Sequence, residues 1–116
     1  MKISNLTKDT RIAEQAKIAD TFVTRMIGLL GRNSLGEKEA LIITRCQSIH
    51  MFFMRFAIDA IFVDPQDQVV GVIENIKPNR LSPVFWKASY CIELPVGAIL
   101  KSRTSAGDHL KIDKSI

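Results

Sequence analysis

The run Ile58–Asp64, reading IDAIFVD, does most to narrow what this chain can fold into. It is a strand with β-branched and aromatic residues on both faces, so both faces need cover. By strand alternation Asp59 sides with Ile61 and Val63, while Ile58, Ala60 and Phe62 take the other face. Asp64-Pro65-Gln66-Asp67 reads as a turn with Pro at its second position. The segment 68–76, QVVGVIENI, returns as the hairpin partner.

Other short strands surround this hairpin. Segments 2–6 and 11–18 read as strands around a polar turn at 7–10, although RIAEQAKIA also fits a helix. ALIIT (40–44), KASYCIEL (87–94) and HLKI (109–112) complete the set. One amphipathic helix is expected over about 21–31, capped by Asp20 or Thr21 and stopped by Gly31. Its apolar face would carry Phe22, Met26, Leu29 and Leu30, with Arg25 at the border. Pro95 suits the first turn of a short helix near 95–102. Strands outnumber helices, so the fold class is α+β, mainly β. The expected form is a curled antiparallel sheet or small barrel with the longer helix packed over it. With 116 residues, 47% of them hydrophobic, a single domain over 1–116 can hold its own core.

Charge excludes more than it suggests. The net charge is +4, and Lys and Arg are scattered without a run of three. No basic stripe interleaved with aromatics is present, so no nucleic-acid partner is expected. No apolar stretch is long enough for a membrane span, and MKISNLTKDT lacks the apolar core of a signal peptide. A cytoplasmic location is the expectation, unless a leader has been removed. Cys46 and Cys91 do not make a disulfide framework. There is no Cys-x-x-Cys, no phosphate loop and no Gly-x-Gly-x-x-Gly, and no cofactor is expected.

Chemistry concentrates in the segment CQSIHMFFMRFAIDAIFVD, residues 46–64, where Cys46, His50, Met54, Arg55 and Asp59 sit among apolar neighbours. Buried polar groups need partners, and that need builds either a structural network or a site. Asp59 would pair with Arg25, Arg55 or His50, or accept hydrogen bonds from loop amides. Glu93 shares a strand face with Cys91 and Ser89, just ahead of the short helix. It would either cap that helix's free amides or stand with Asp59 over one cleft as an acid tuned to donate a proton. His50 is a satisfied core group or a general base. Arg25 is a solvated guanidinium or a fork for a carboxylate or phosphate. Cys46, His50 and Met54 stand four apart and would suit copper only if helical; otherwise no metal site is expected. The apolar setting of Cys46 argues for an inert thiol.

Four stretches in order carry a family likeness: Arg25-Met26-Ile27-Gly28-Leu29-Leu30-Gly31-Arg32; Cys46-x-Ser48-Ile49-His50 with Met54, Ile58-Asp59 and Phe62; Val69-Val70 through Pro78; and Ile92-Glu93-Leu94-Pro95-x-Gly97 ending in Gly107-Asp108. Over about 10–112 the chain resembles the family called domain of unknown function 192, in its branch with a Cys-x-Ser-Ile-His lead. Many relatives read Trp-Met-Lys-Asn-Thr where this chain has Phe53-Met54-Arg55-Phe56-Ala57, so roles of that Asn-Thr pair do not carry over. The resemblance implies a small α+β domain on a curled sheet and no assigned reaction.

The expectation is a binding or accessory domain with a small polar pocket for a small molecule or peptide. Arg25, His50, Met54, Asp59 and Glu93 are the pocket candidates, and no residue is assigned a catalytic role. One alternative is a small hydrolase-type enzyme using Asp59 or Glu93 with His50. Another is an interaction module docking a partner protein through exposed aromatics, Phe85 and Trp86 among them.

Overall fold

The computed structural model describes residues 1–114, apart from the side chains of Phe22 and Met26. Those two members of the expected helix face therefore lie outside the described residues. In chain order the elements are β1 (Lys2–Asn5), β2 (Thr10–Ala13), β3 (Gln15–Ala19), α1 (Phe22–Ile27), β4 (Glu39–Thr44), β5 (Ile58–Val63), β6 (Val69–Ile76), β7 (Tyr90–Leu94), α2 (Ala98–Ser102) and β8 (Leu110–Asp113). Among the described residues the strands form two open sheets, ordered β2-β1-β8 and β3-β4-β7-β5-β6. The α+β, mainly β architecture stands, but the sheets do not close into a barrel.

β5 is where its composition demands. It lies between β6 and β7, and all six of its residues are buried. Its alternation feeds two separate cores. Ile61 and Val63 join Ile92 and Leu94 of β7 on one face. Ile58, Ala60 and Phe62 join Cys91 on the other. The turn to β6 is held by the Asp64 carboxylate, which accepts from the amides of Gln66 and Gln68 at 2.9 Å each.

Two expectations need correction. Segment 11–18 is not one strand: β2 and β3 part at Glu14 and enter different sheets. β3 then pairs parallel to β4, so the larger sheet is mixed rather than antiparallel. Parallel neighbours need a crossover, and the stretch carrying α1 supplies it. α1 is also shorter than expected. Thr21 and Thr24 form a reciprocal cap, each accepting the other's amide at 3.0 Å. The stop comes at Gly28, whose φ of 50° leaves the helical region three residues before Gly31. Beyond it Leu29 is buried, while Leu30 is exposed. It is α2 that packs across strands, against β2 and β5.

Candidate functional site

Asp59 and Glu93 lie on neighbouring strands yet point to opposite faces. Asp59 registers with Leu94, and Ala60 registers with Glu93. Pleating therefore sends Asp59 towards α2 and Glu93 towards the α1 side. The two acids do not stand over one cleft.

Asp59 is wholly buried and fully engaged. Its carboxylate accepts from the amides of Asn75 at 2.9 Å, Gly97 at 3.1 Å and Ile99 at 3.0 Å. Two of these are the free donors at the start of α2, whose own N-cap residue Gly97 has no side chain to offer. The helix-capping role expected of Glu93 thus belongs to Asp59. None of the three expected cations serves it. Arg25 donates to the carbonyls of Thr44 (2.8 Å) and Arg45 (2.9 Å), and Arg55 donates to Asn33 Oδ1 at 3.1 Å. His50 is exposed and stacks on Phe52, ring centroids 5.5 Å apart.

Arg25 fastens the end of α1 to the end of β4. There Arg45 adopts φ of 50°, which turns the chain so that the Cys46 amide reaches the Ser89 carbonyl at 3.3 Å. Segment 46–57 then runs without helix or strand, save for a bridge pairing His50 with Leu81. It is anchored by Met51, wholly buried, whose amide donates to the Arg80 carbonyl at 2.8 Å. The helical face needed for a copper site on Cys46, His50 and Met54 is absent.

These anchors leave a cleft of about 460 Å³ between the α1 end and segment 45–50. Arg25, His50, Met54 and Glu93 all border it, so four of the five candidates meet there. Arg45, Cys46 and Gln47 also border it, and Ile27, Leu30 and Ile43 provide apolar wall. Asp59 is not among the lining residues.

Glu93 is the unusual member. It is 6% exposed, and among the described residues no hydrogen bond reaches its carboxyl. No side-chain polar atom sealed from solvent lacks a partner among those residues, so the carboxyl oxygens open onto the cleft. Burial, then the neighbouring Cys46 sulfur, pushes its pKa up to about 8. At neutral pH the group is chiefly a protonated acid, a donor as well as an acceptor.

The cysteines were underestimated in the sequence. Both are free thiols in one buried cluster, and each perturbs the other. Cys46 in turn donates to the Ser48 carbonyl at 3.2 Å. Cys91 above all, with the Ser48 backbone and the Arg25 guanidinium, draws the Cys46 pKa down against its burial. Burial, chiefly, holds Cys91 far above the ordinary thiol range. The shared face of Cys91 and Glu93 is legible in KASYCIEL; the approach of Cys46 depends on the Arg45 turn.

The aromatics divide. Phe85 is not an exposed docking residue, because it stacks on Phe62 with centroids 4.4 Å apart. Trp86 is 77% exposed and Phe53 85%. No helix of the described residues is long and apolar enough to cross a membrane.

Comparison with known proteins bears on the whole chain. The model of the domain of unknown function 192 family, described as "Uncharacterized ACR", matches residues 4–112. A UPF0127 protein of Pyrococcus furiosus is 34% identical over 118 residues, covering 97% of this chain and 98% of the relative. Another, from Thermococcus sibiricus, is 37% identical over 110 residues, covering 91% of this chain and 71% of the relative. A crystal structure of a protein of unknown function from Novosphingobium aromaticivorans superposes with a TM-score of 0.81. It is 20% identical, with 96% of this chain and 82% of that one covered, which speaks for the fold alone.

Proposed function

The chain belongs to the domain of unknown function 192 family, and from that premise we propose that it is a binding or accessory domain whose cleft holds a small molecule or short peptide. One observation carries this reading: Glu93, a largely buried acid, faces a cleft and among the described residues has no hydrogen-bond partner. A ligand seated in the cleft would supply that partner in place of solvent. With its proton retained, Glu93 meets a carbonyl or carboxylate as donor; the same group accepts from an amide or hydroxyl. Ile27, Leu30 and Met54 suit an apolar portion of the ligand, and exposed Arg45 suits an anionic end. Small-molecule sites are commonly built this way, apolar walls around a few converging polar groups.

The test is a thermal-shift screen of metabolite pools and short peptides against the wild-type protein and Glu93→Leu. A ligand present at about 100 times its dissociation constant stabilises by about 2.7 kcal/mol. The expected result is a set of stabilising compounds whose effect disappears in Glu93→Leu. Stabilisers that act equally on both proteins would remove Glu93 from the site and this reading with it.

A second reading, a small hydrolase-type enzyme, draws on Glu93 and His50 bordering the same cleft. Asp59, already committed to three amides, has no part in it. It requires the acid and the imidazole to flank one reacting atom. Hydrolysis of a chromogenic ester panel, abolished alike by Glu93→Gln and His50→Ala, is its expected signature. Turnover that survives both substitutions would rule it out.

A further inference from the structure

We propose that Cys46 and Cys91 form a thiol–disulfide exchange pair in the cleft wall, Cys46 taking a small disulfide from solution and Cys91 resolving it. The inference needs only that the cleft admit small molecules; it does not depend on the ligand proposed for Glu93.

The arrangement is asymmetric in the way such a pair requires. Cys46 borders the cleft and is 9% exposed. Cys91 is wholly buried behind it, on a central strand. Both side chains belong to one buried cluster and each perturbs the other's titration, so the second thiol lies near the first. This proximity arises from two unrelated features. Strand alternation in β7 brings Ser89, Cys91 and Glu93 to one face. The left-handed turn at Arg45 folds Cys46 back until its amide meets the Ser89 carbonyl.

Access differs between the two sulfurs: Cys46 borders the cleft, while Cys91 is wholly buried. The neighbouring Cys91, and less strongly the Arg25 guanidinium pinned to the carbonyls of Thr44 and Arg45, lower the Cys46 pKa. Cys91 itself is kept protonated, chiefly by burial. Thiolates rather than thiols attack disulfides, and a lowered pKa with access selects which cysteine does so. Nothing in this chemistry needs a metal ion or a bound cofactor.

The steps balance as follows. The Cys46 thiolate attacks one sulfur of the small disulfide. A bond forms from Cys46 to that sulfur, the original sulfur–sulfur bond breaks, and one thiolate leaves. The Cys91 sulfur then attacks Cys46, its proton passes to the second departing sulfur, and a small thiol leaves. The two protein thiols are oxidised by two electrons to a Cys46–Cys91 disulfide, and the small disulfide is reduced to two thiol equivalents.

Oxidised glutathione is the probe, with intact mass as the readout and circular dichroism to confirm that each variant is folded. The wild-type protein is expected to lose the mass of two hydrogens and recover it with dithiothreitol. Cys91→Ser is expected to accumulate a single glutathione adduct on Cys46, because nothing resolves it. Cys46→Ser is expected to stay unmodified. Should the Ser hydroxyl at the dry position 91 prevent folding, Cys91→Ala carries the same test. The proposal is overturned if wild type keeps both thiols under conditions that oxidise free cysteine. It is overturned equally if wild type retains the adduct as Cys91→Ser does, or if Cys46→Ser is still modified. A screen without ligands would leave these outcomes untouched, so the two readings fail separately.

Discussion

Asp59 and Glu93 occupy adjacent strands and are 0% and 6% exposed. Asp59 accepts three backbone amides and ties α2 and the end of β6 to the sheet. Glu93, on the opposite face, meets no hydrogen-bond donor among the described residues and looks into a cleft instead. Burial alone therefore does not separate these two acids; the partners do. An acid that meets donors holds its surroundings in place. An acid that meets none favours its protonated form and keeps hydrogen-bonding capacity for something else to fill.

The largest expected effect tests the unpartnered side through pH. The folded-state pKa of Glu93 is about 8, above the ordinary value of 4.5. Between those values the native state holds a proton that the unfolded state has released. Its contribution is thus full below about pH 4.5 and is lost as pH rises to about 8. At about 1.4 kcal/mol per pKa unit, the loss is on the order of 3–5 kcal/mol. Urea unfolding at intervals from pH 4 to 9 should show Glu93→Gln lacking this decline. Parallel profiles for the two proteins would mean that Glu93 meets a donor after all.

Asp59→Asn attacks the other half of the comparison. It keeps the shape but turns a side-chain amide N–H towards backbone donors that meet a carboxyl oxygen in the wild type. A loss of about 2–4 kcal/mol is expected, read from chemical denaturation at pH 7. Unchanged stability would show that the three amides find other acceptors.

A smaller effect concerns how the Glu93 face is closed further along. A Cβ at Gly71 would fall inside the Phe85 ring, which is pressed onto Phe62. Gly71→Ala should displace that ring and cost about 1–3 kcal/mol. Equal thermal unfolding of the two proteins would show that the ring has room to move.

Arg25→Met is the mildest change. It keeps the apolar stem but gives up two bonds to carbonyls at the cleft rim, for about 1 kcal/mol. The same variant should raise the Cys46 pKa, followed by the pH dependence of its alkylation. An unaltered alkylation profile would separate Arg25 from the thiol.

How much of this was legible depended on whether a feature is local. The β5–β6 hairpin followed from IDAIFVD, the Asp64-Pro65 turn and QVVGVIENI, because alternation and turn chemistry act over a few residues. The start of α1 followed from Thr21 for the same reason. Its end did not: Gly31 was the expected stop, and the chain leaves the helix at Gly28 instead. The break at Glu14 was hidden within a run that suited a strand throughout. Arg25, His50 and Glu93 were recognisable as polar groups needing an explanation, and with Met54 they border one cleft. Asp59 was equally recognisable, and its separation from them was not.

The chain's own order of residues determined which side chains share a strand face, where the central hairpin turns, and that several polar groups would need partners indoors. Those consequences arise from backbone geometry over short distances. Tertiary structure alone decided that Ala60 rather than Asp59 would register with Glu93. It also decided that α2 would begin beside Asp59, and that a turn at Arg45 would lay Cys46 against Cys91. Register, crossover and helix placement are set by packing among segments far apart in the chain. A shift of one residue between β5 and β7 would have put the two acids on one face.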